Sequence, residues 1–205
     1  MPKGSPELTA ARKEEIVNAC EQLYQTMSFK DITLKEISRV TSFTRTSIYN
    51  YFQTKEEIFL ALYEREYDRW NAELKNILEK NDELTKDRLC EKLATSIANR
   101  EQLLKLLSMN NYDMEANSRQ ERLTSFKLAY GEALDNVRSI LTKFAENMTA
   151  QDIESFVYVF FPFMFGICPY ANVTDKQREA MEEAKVDYSY PTVYDITYNC
   201  LKKLI

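Results

Sequence analysis

Three glycines, Gly4, Gly131 and Gly166, are all that this chain of 205 residues contains. Glycine supplies the positive-φ corners and bulges on which sheet-rich folds depend. A chain this poor in it, with only five prolines, is confined to long helices joined by short connections. Hydrophobic residues make up 44% of the sequence, enough for a core and too many for a disordered chain. The fold class expected is all-α.

Helical periodicity runs from end to end. Ile16, Cys20, Leu23 and Met27 form one stripe at spacings of 4, 3 and 4. Thr33-Leu34-Lys35-Glu36 has the form of a capping box, and so do the segments opening at Thr54, Ser118 and Thr174. These signals predict helices over 9–28, 34–40, 44–52, 55–80, 86–98, 100–113, 118–147, 151–170, 175–185 and 191–204. The first three are short and the later ones long. That shift places a boundary near residue 54, with an N-terminal domain at 1–54 and a second helical domain at 55–205.

Several function classes lose their usual tools. Histidine is absent, which removes histidine metal sites, Ser-His-Asp triads and Cys-His dyads, so the chain does not read as an enzyme and no cofactor is expected. Cys20, Cys90, Cys168 and Cys200 lack CxxC spacing and read as small buried hydrophobes in a reducing cytosol. The opening MPKGSPELTAARKEE has no apolar run after its charges, so no secretory signal is expected. Residues 155–174 are free of charge, but the apolar part is only about 15 residues, holds Pro162 and Pro169, and reads as a core helix rather than a membrane span. A cytoplasmic location, on the nucleoid when DNA is bound, is the expectation.

The net charge of −5 opposes nucleic-acid binding, yet it is unevenly spread. Residues 1–55 carry eight Lys/Arg against six Asp/Glu, and residues 56–205 carry 19 against 26. The positive end holds the segment TLKEISRVTSFTRTSIYNYFQTKEE, residues 33–57. Two short helices joined by about three residues, with apolar anchors at Leu34, Ile37, Phe43, Ile48 and Phe52, are what a helix-turn-helix requires. Ile37 and Ile48 face inward, leaving Thr44, Arg45, Thr46, Ser47, Tyr49 and Asn50 on the outer face of the second helix. Arg45 is chemically suited to the O6 and N7 of guanine, and Thr46 and Ser47 to base edges or a thymine methyl. Tyr49, Thr33, Lys35 and Lys55 suit phosphates, although Lys35 also reads as a plain solvated charge. Lys3, Arg12 and Lys13 can follow the backbone or the minor groove. Tyr51 and Phe52 read as core.

The run Ile48-Tyr49-Asn50-Tyr51-Phe52-Gln53-Thr54-Lys55-Glu56-Glu57, with Ile37-Ser38 and Ser42-Phe43 before it, resembles the DNA-binding domain of the tetracycline-repressor (TetR) family over about residues 9–62. Three positions depart from the family pattern: Ser42 replaces the turn glycine, Thr46 a smaller residue, and Asn50 a common histidine. A left-handed residue at Ser42 would cost roughly 1 kcal/mol, so a slightly altered turn is expected.

The resemblance implies a homodimer on a pseudo-palindromic operator, with a repressor as the family default. It implies a four-helix seam from two late helices of each subunit, here about 151–170 and 191–204, with Phe156, Phe160, Phe163, Tyr194, Tyr198 and Leu201 as candidates. It also implies a pocket for a small hydrophobic or aromatic ligand within the bundle. Trp70, Met109, Phe126, Tyr130, Tyr158, Met164 and Phe165 are candidate walls, or simply core. Pro162 removes one helical bond near Tyr158, which fits either a kink beside a cavity or a packing adjustment. The alternative is a helix-turn-helix dimer with no small-molecule ligand, controlled by a protein partner or acting architecturally.

Overall fold

The structure is a computed structural model and describes residues 5–109 and 111–205. Lys3 lies outside the described residues. Among them are eleven helices and no strand: α1 (Pro6–Thr26), α2 (Leu34–Arg39), α3 (Arg45–Ile48), α4 (Lys55–Glu79), α5 (Lys86–Ala98), α6 (Glu101–Leu107), α7 (Asn111–Ala116), α8 (Gln120–Phe144), α9 (Ala150–Ala171), α10 (Asp175–Glu183) and α11 (Val193–Leu204).

Most boundaries trace to caps. The α1 helix begins three residues earlier than periodicity predicts, because Ser5 accepts from the Leu8 amide and Pro6 takes the first helical position. Reciprocal capping boxes open α9 (Thr149 with Asp152), α10 (Thr174 with Gln177) and α11 (Thr192 with Asp195). The box expected at Ser118 does not form. The α8 helix starts at Gln120, two residues later than predicted, its first bonds run to the Arg119 carbonyl, and Ser118 Oγ has no partner among the described residues. The single helix expected over 100–113 is two, broken after Leu107 by a Ser108 cap.

The chain forms two compact units, Met1–Arg65 with Asn110–Leu128, and Glu66–Met109 with Ala129–Ile205. The first unit therefore extends beyond the expected limit at residue 54. It takes in the start of α4, all of α7 and the start of α8. Its core is built on Ile16, Cys20 and Tyr24 of α1, with Ile32, Ile37, Ile48, Phe52, Phe59 and Leu62. Phe59 stands edge-on to Tyr24 at 5.2 Å and to Phe29 at 4.8 Å, and Tyr63 edge-on to Phe126 at 5.1 Å. Arg65 ties α4 to α1 through Glu14 and Glu21, each at 2.7 Å.

In the second unit α11 packs on α5 and α9, and α6 packs on α9 and α5. Trp70, Leu74, Leu89, Leu93, Ile97, Phe160, Phe161, Met164 and Leu201 are buried there. The indole N–H of Trp70 donates to Ser96 Oγ at 3.1 Å, and that hydroxyl donates to the Leu93 carbonyl at 2.8 Å. Buried Asn71 donates to the Ala129 carbonyl and accepts from Asn136. Arg138 of α8 grips Glu154 of α9 through two nitrogens at 2.6 and 3.0 Å. Among the described residues α9 is the one helix long and apolar enough to cross a membrane, and its face from Ile153 to Cys168 is buried in this unit.

Candidate nucleic-acid interface

The first unit displays a short polar helix on a buried apolar footing. Leu34 and Ile37 of α2 and Ile48 of α3 are buried, and α2 packs on α3. Thr33 Oγ1 accepts from the Glu36 amide at 3.2 Å, while the Glu36 carboxylate turns to Arg39 at 2.8 Å. Thr44 caps α3 by accepting from the Ser47 amide at 3.2 Å, and the two hydroxyls lie 2.9 Å apart. The second helix is four residues long rather than the nine expected over 44–52. After Ile48 the chain continues in turns, with the Tyr51 and Phe52 amides both donating to the Ile48 carbonyl.

Arg45, Thr46, Tyr49 and Asn50 are exposed, and Ser47 is half-buried. The Arg45 guanidinium lies 5.9 Å from the Tyr49 ring centre and donates to its hydroxyl at 3.2 Å. The two side chains are thus held as a pair, which restricts the conformational freedom of Arg45. Thr33, which caps α2, and Lys35 within it are exposed. Phe52 is core, as expected, at 1% exposure, and Tyr51 is half-buried.

One expectation changes, that for Lys55, and the surroundings of Ser42, Arg12 and Lys13 are defined. Ser42 does not take a left-handed conformation; the only positive-φ non-glycine residue described is Lys185. Instead the Ser42 amide donates to Glu15 Oε1 of α1 at 2.7 Å. That bond and one from the Ser42 side chain hold the Glu15 carboxyl below its usual range. Lys55 is turned inward. Its Nζ donates to the carbonyls of Phe29 and Ile32 at 2.8 and 3.2 Å and sits 4.1 Å from the Phe29 ring centre, so two of its three donors are committed. Arg12 donates to the Tyr51 hydroxyl at 2.9 Å. Lys13 is partly desolvated and lies near Arg122, which together lower its pKa.

Contacts that sequence reasoning did not single out secure the segment that follows α3. Glu57 is fully buried and accepts four bonds: from Arg119 Nε at 2.6 Å, Arg119 Nη2 at 2.8 Å, the Arg119 amide at 3.1 Å and the Gln53 amide at 2.8 Å. Burial pushes its pKa up, and the bonds from Arg119 and the Gln53 amide outweigh burial and leave it depressed. Arg122 donates to the Tyr51 carbonyl at 3.3 Å, Arg119 reaches the same oxygen at 3.5 Å, and Thr54 Oγ1 donates to the Asn117 carbonyl at 2.9 Å. The only sequence signals nearby are the Thr54 and Ser118 boxes, which bracket Glu57 and Arg119 without pairing them. By sequence this unit carries twelve Lys/Arg and twelve Asp/Glu, so any attraction to phosphate depends on which face holds the cations.

The remaining candidates divide by burial. Trp70 and Met164 are fully buried, Tyr130 and Met109 are half-buried, and Tyr130 stands edge-on to Tyr67 and Phe161 at 5.6 and 5.7 Å. Phe126 belongs to the first unit. Tyr158 and Phe165 are 74% and 39% exposed and stand on the outside of α9. Three cavities of about 410, 520 and 630 Å³ in the second unit are lined by none of these residues. Of the seam candidates, Phe156, Phe160 and Leu201 are core side chains, out of reach of a partner. Phe163, Tyr194 and Tyr198 are half-buried, the last two stacked at 5.6 Å.

Comparison with known proteins settles the family. Residues 64–193 match the model of the tetracyclin repressor-like C-terminal domain, and residues 16–62 match that of the bacterial regulatory proteins of the tetR family. The chain belongs to the TetR family. It is a DNA-binding transcriptional regulator. None of the curated proteins matches this TetR-family chain. Among solved structures, GusR of Salmonella enterica is 13% identical over 100% of this chain and 98% of its own, with a TM-score of 0.60. The fatty acid degradation regulator FadR of Bacillus halodurans is 12% identical over 98% and 95%, with a TM-score of 0.58. FadR of Bacillus subtilis, in complex with stearoyl-CoA, is 16% identical over 93% and 96%, with a TM-score of 0.57. Identities this low establish a shared fold and nothing finer.

Proposed function

We propose that this TetR-family regulator is a repressor that binds a pseudo-palindromic operator as a homodimer and leaves it on binding a small hydrophobic or aromatic ligand. The observation that carries the DNA-reading part is the exposed Arg45–Tyr49 couple on a helix whose Ile48 is anchored in the core. Arg45 contacts a base edge. Thr46, Ser47 and Asn50 supply further polar contacts, and Thr44, Tyr49, Thr33 and Lys35 the phosphate contacts. Lys55 contributes by fixing the α1–α2 connection.

A four-residue reading helix covers too few base pairs for useful selectivity, which favours a dimer. Tyr158, Val159, Pro162, Phe165, Pro169 and Tyr170 are exposed along one side of α9, a continuous uncharged strip that supports a seam there, beside α11. Selection of binding sites from random DNA tests this reading, with an inverted repeat as the expected product. Arg45→Ala should cost about tenfold in affinity and relax one base position. Retention of wild-type affinity and preference would refute the assignment.

The mutually packed rings of Tyr67, Trp70, Tyr130 and Phe161 favour a second reading, a dimer without any small-molecule ligand. Thermal-shift screening against hydrophobic and acyl compounds separates the two. A compound that raises the melting temperature and lowers operator affinity supports release by ligand; stabilisation with unchanged operator affinity rules that mechanism out.

A further inference from the structure

We infer that Arg119 and Arg122, at the start of α8, are positioning residues for DNA reading, acting through the Tyr51 carbonyl. The inference rests on the proposal that α3 reads the operator.

The four-residue α3 has too few internal bonds to hold its own tilt. Its direction is set by what grips the chain on either side. On the leading side, Glu15 of α1 holds the Ser42 amide at 2.7 Å. On the trailing side the segment from Tyr49 to Thr54 is held by backbone groups that no regular helix satisfies. The Gln53 amide goes to Glu57 at 2.8 Å. The Tyr51 carbonyl receives Arg122 at 3.3 Å and Arg119 at 3.5 Å. Glu57 fixes the Arg119 fork through Nε and Nη2, and the Arg122 guanidinium lies 5.1 Å from the Phe52 ring centre. Arginine alone among side chains combines a fork for a carboxylate with a donor left for a carbonyl and a flat face for an aromatic ring.

These contacts lie at the end of the recognition segment opposite the turn and, by sequence, more than 60 residues from it. Neither arginine needs to touch DNA to act. A small rotation of α3 about Ile48 shifts the Arg45 guanidinium, at the tip of a long side chain, by more than the tolerance of a bidentate base contact. Loss of the grip should therefore cost sequence discrimination while leaving the phosphate attraction, which tolerates displacement.

The test uses the full chain and DNA obtained by binding-site selection. Arg119→Lys keeps the charge and removes the fork. Arg122→Gln leaves the Glu57 network intact and removes the second bond to Tyr51. Fluorescence anisotropy gives the affinity for selected and for scrambled DNA, and circular dichroism and thermal melting report the fold. For Arg119→Lys the ratio of the two affinities should fall at least tenfold, with affinity for scrambled DNA within twofold of wild type; Arg122→Gln should lower the ratio about threefold. If Arg119→Lys fails to fold, Arg122→Gln decides alone. A folded variant with an unchanged ratio, or a parallel loss on both DNAs, overturns the inference. Arg45→Ala is run alongside: if it too leaves the ratio unchanged, the failure lies in the α3 reading rather than in the arginine grip.

Discussion

Replacing Glu57 with glutamine isolates the electrostatic part of the grip with almost no change of shape. The wild-type carboxylate accepts four bonds, three from Arg119 and one from the Gln53 amide, with no solvent access. Glutamine offers one acceptor oxygen. Whichever way its amide turns, its NH2 faces donors and two of the four lose their acceptor. Each stranded donor costs about 1–3 kcal/mol, so Glu57→Gln should destabilise the first unit by about 3 kcal/mol. Glu57→Ala removes all four acceptor bonds and leaves Arg119 its ion pair with Glu121, and it should cost at least as much. Against a domain stability of about 5–15 kcal/mol, either is a large fraction.

The carboxyl pKa is depressed in the folded state, so its contribution is present above the unfolded value of about 4.3 and fades as pH falls through the folded value. The gap between wild type and Glu57→Gln should thus be full at neutral pH and close in acid. Urea unfolding followed by far-UV circular dichroism at several pH values measures it. A difference below about 0.5 kcal/mol at pH 7, the scatter of an ordinary surface substitution, would refute the reasoning.

Other expectations follow from single positions. A Cβ at Gly131 meets nothing within 4 Å, so Gly131→Ala in mid-α8 should raise stability by about 0.5–1 kcal/mol, visible as a higher melting temperature. Gly166 is equally open within the chain; if α9 forms the seam, Gly166→Ala should weaken the dimer in sedimentation equilibrium while leaving the fold intact. Tyr158→Glu, on the exposed side of α9, should give monomers and abolish tight operator binding, whereas a persistent dimer would place the seam elsewhere. Glu15→Gln should weaken operator binding severalfold with little loss of helicity. Because the Glu15 carboxyl is held low by Ser42, the difference should shrink as pH falls through that lowered value, in anisotropy titrations at constant salt.

What was legible in the sequence was local. The Thr174 box, the Thr33 cap, the buried Ile16 and Cys20, and the inward Ile37 and Ile48 rest on neighbours within one or two turns and stand in the structure as the spacing implies, although the Thr33 box is only half made because the Glu36 carboxylate goes to Arg39. The starts of α9 and α11 were placed within two residues, but their capping boxes went unnoticed because aspartate at Asp152 and Asp195 serves where glutamate or glutamine was sought. The extent of α3 was overestimated, since periodicity continues through Phe52 while hydrogen bonding changes to turns after Ile48. The grips on the recognition segment had no local signature at all. Glu15 meets Ser42 across 27 residues and Glu57 meets Arg119 across 62, and no spacing rule links such partners. Burial was equally hidden on α9, where Phe156 and Tyr158 are two residues apart, one in the core and the other 74% exposed.

Trp70 makes the chain optically asymmetric. It is the only tryptophan, it belongs to the second unit, and its indole is sealed from water with its N–H on Ser96. Emission excited selectively in the indole therefore reports the surroundings of that unit and is silent on the helix-turn-helix, whose ultraviolet signal comes from tyrosine alone. A red shift that lags behind the loss of helicity would show the DNA-binding unit melting first; coincident curves would show the two melting as one. The native chain is its own two-channel thermometer, with no label to add.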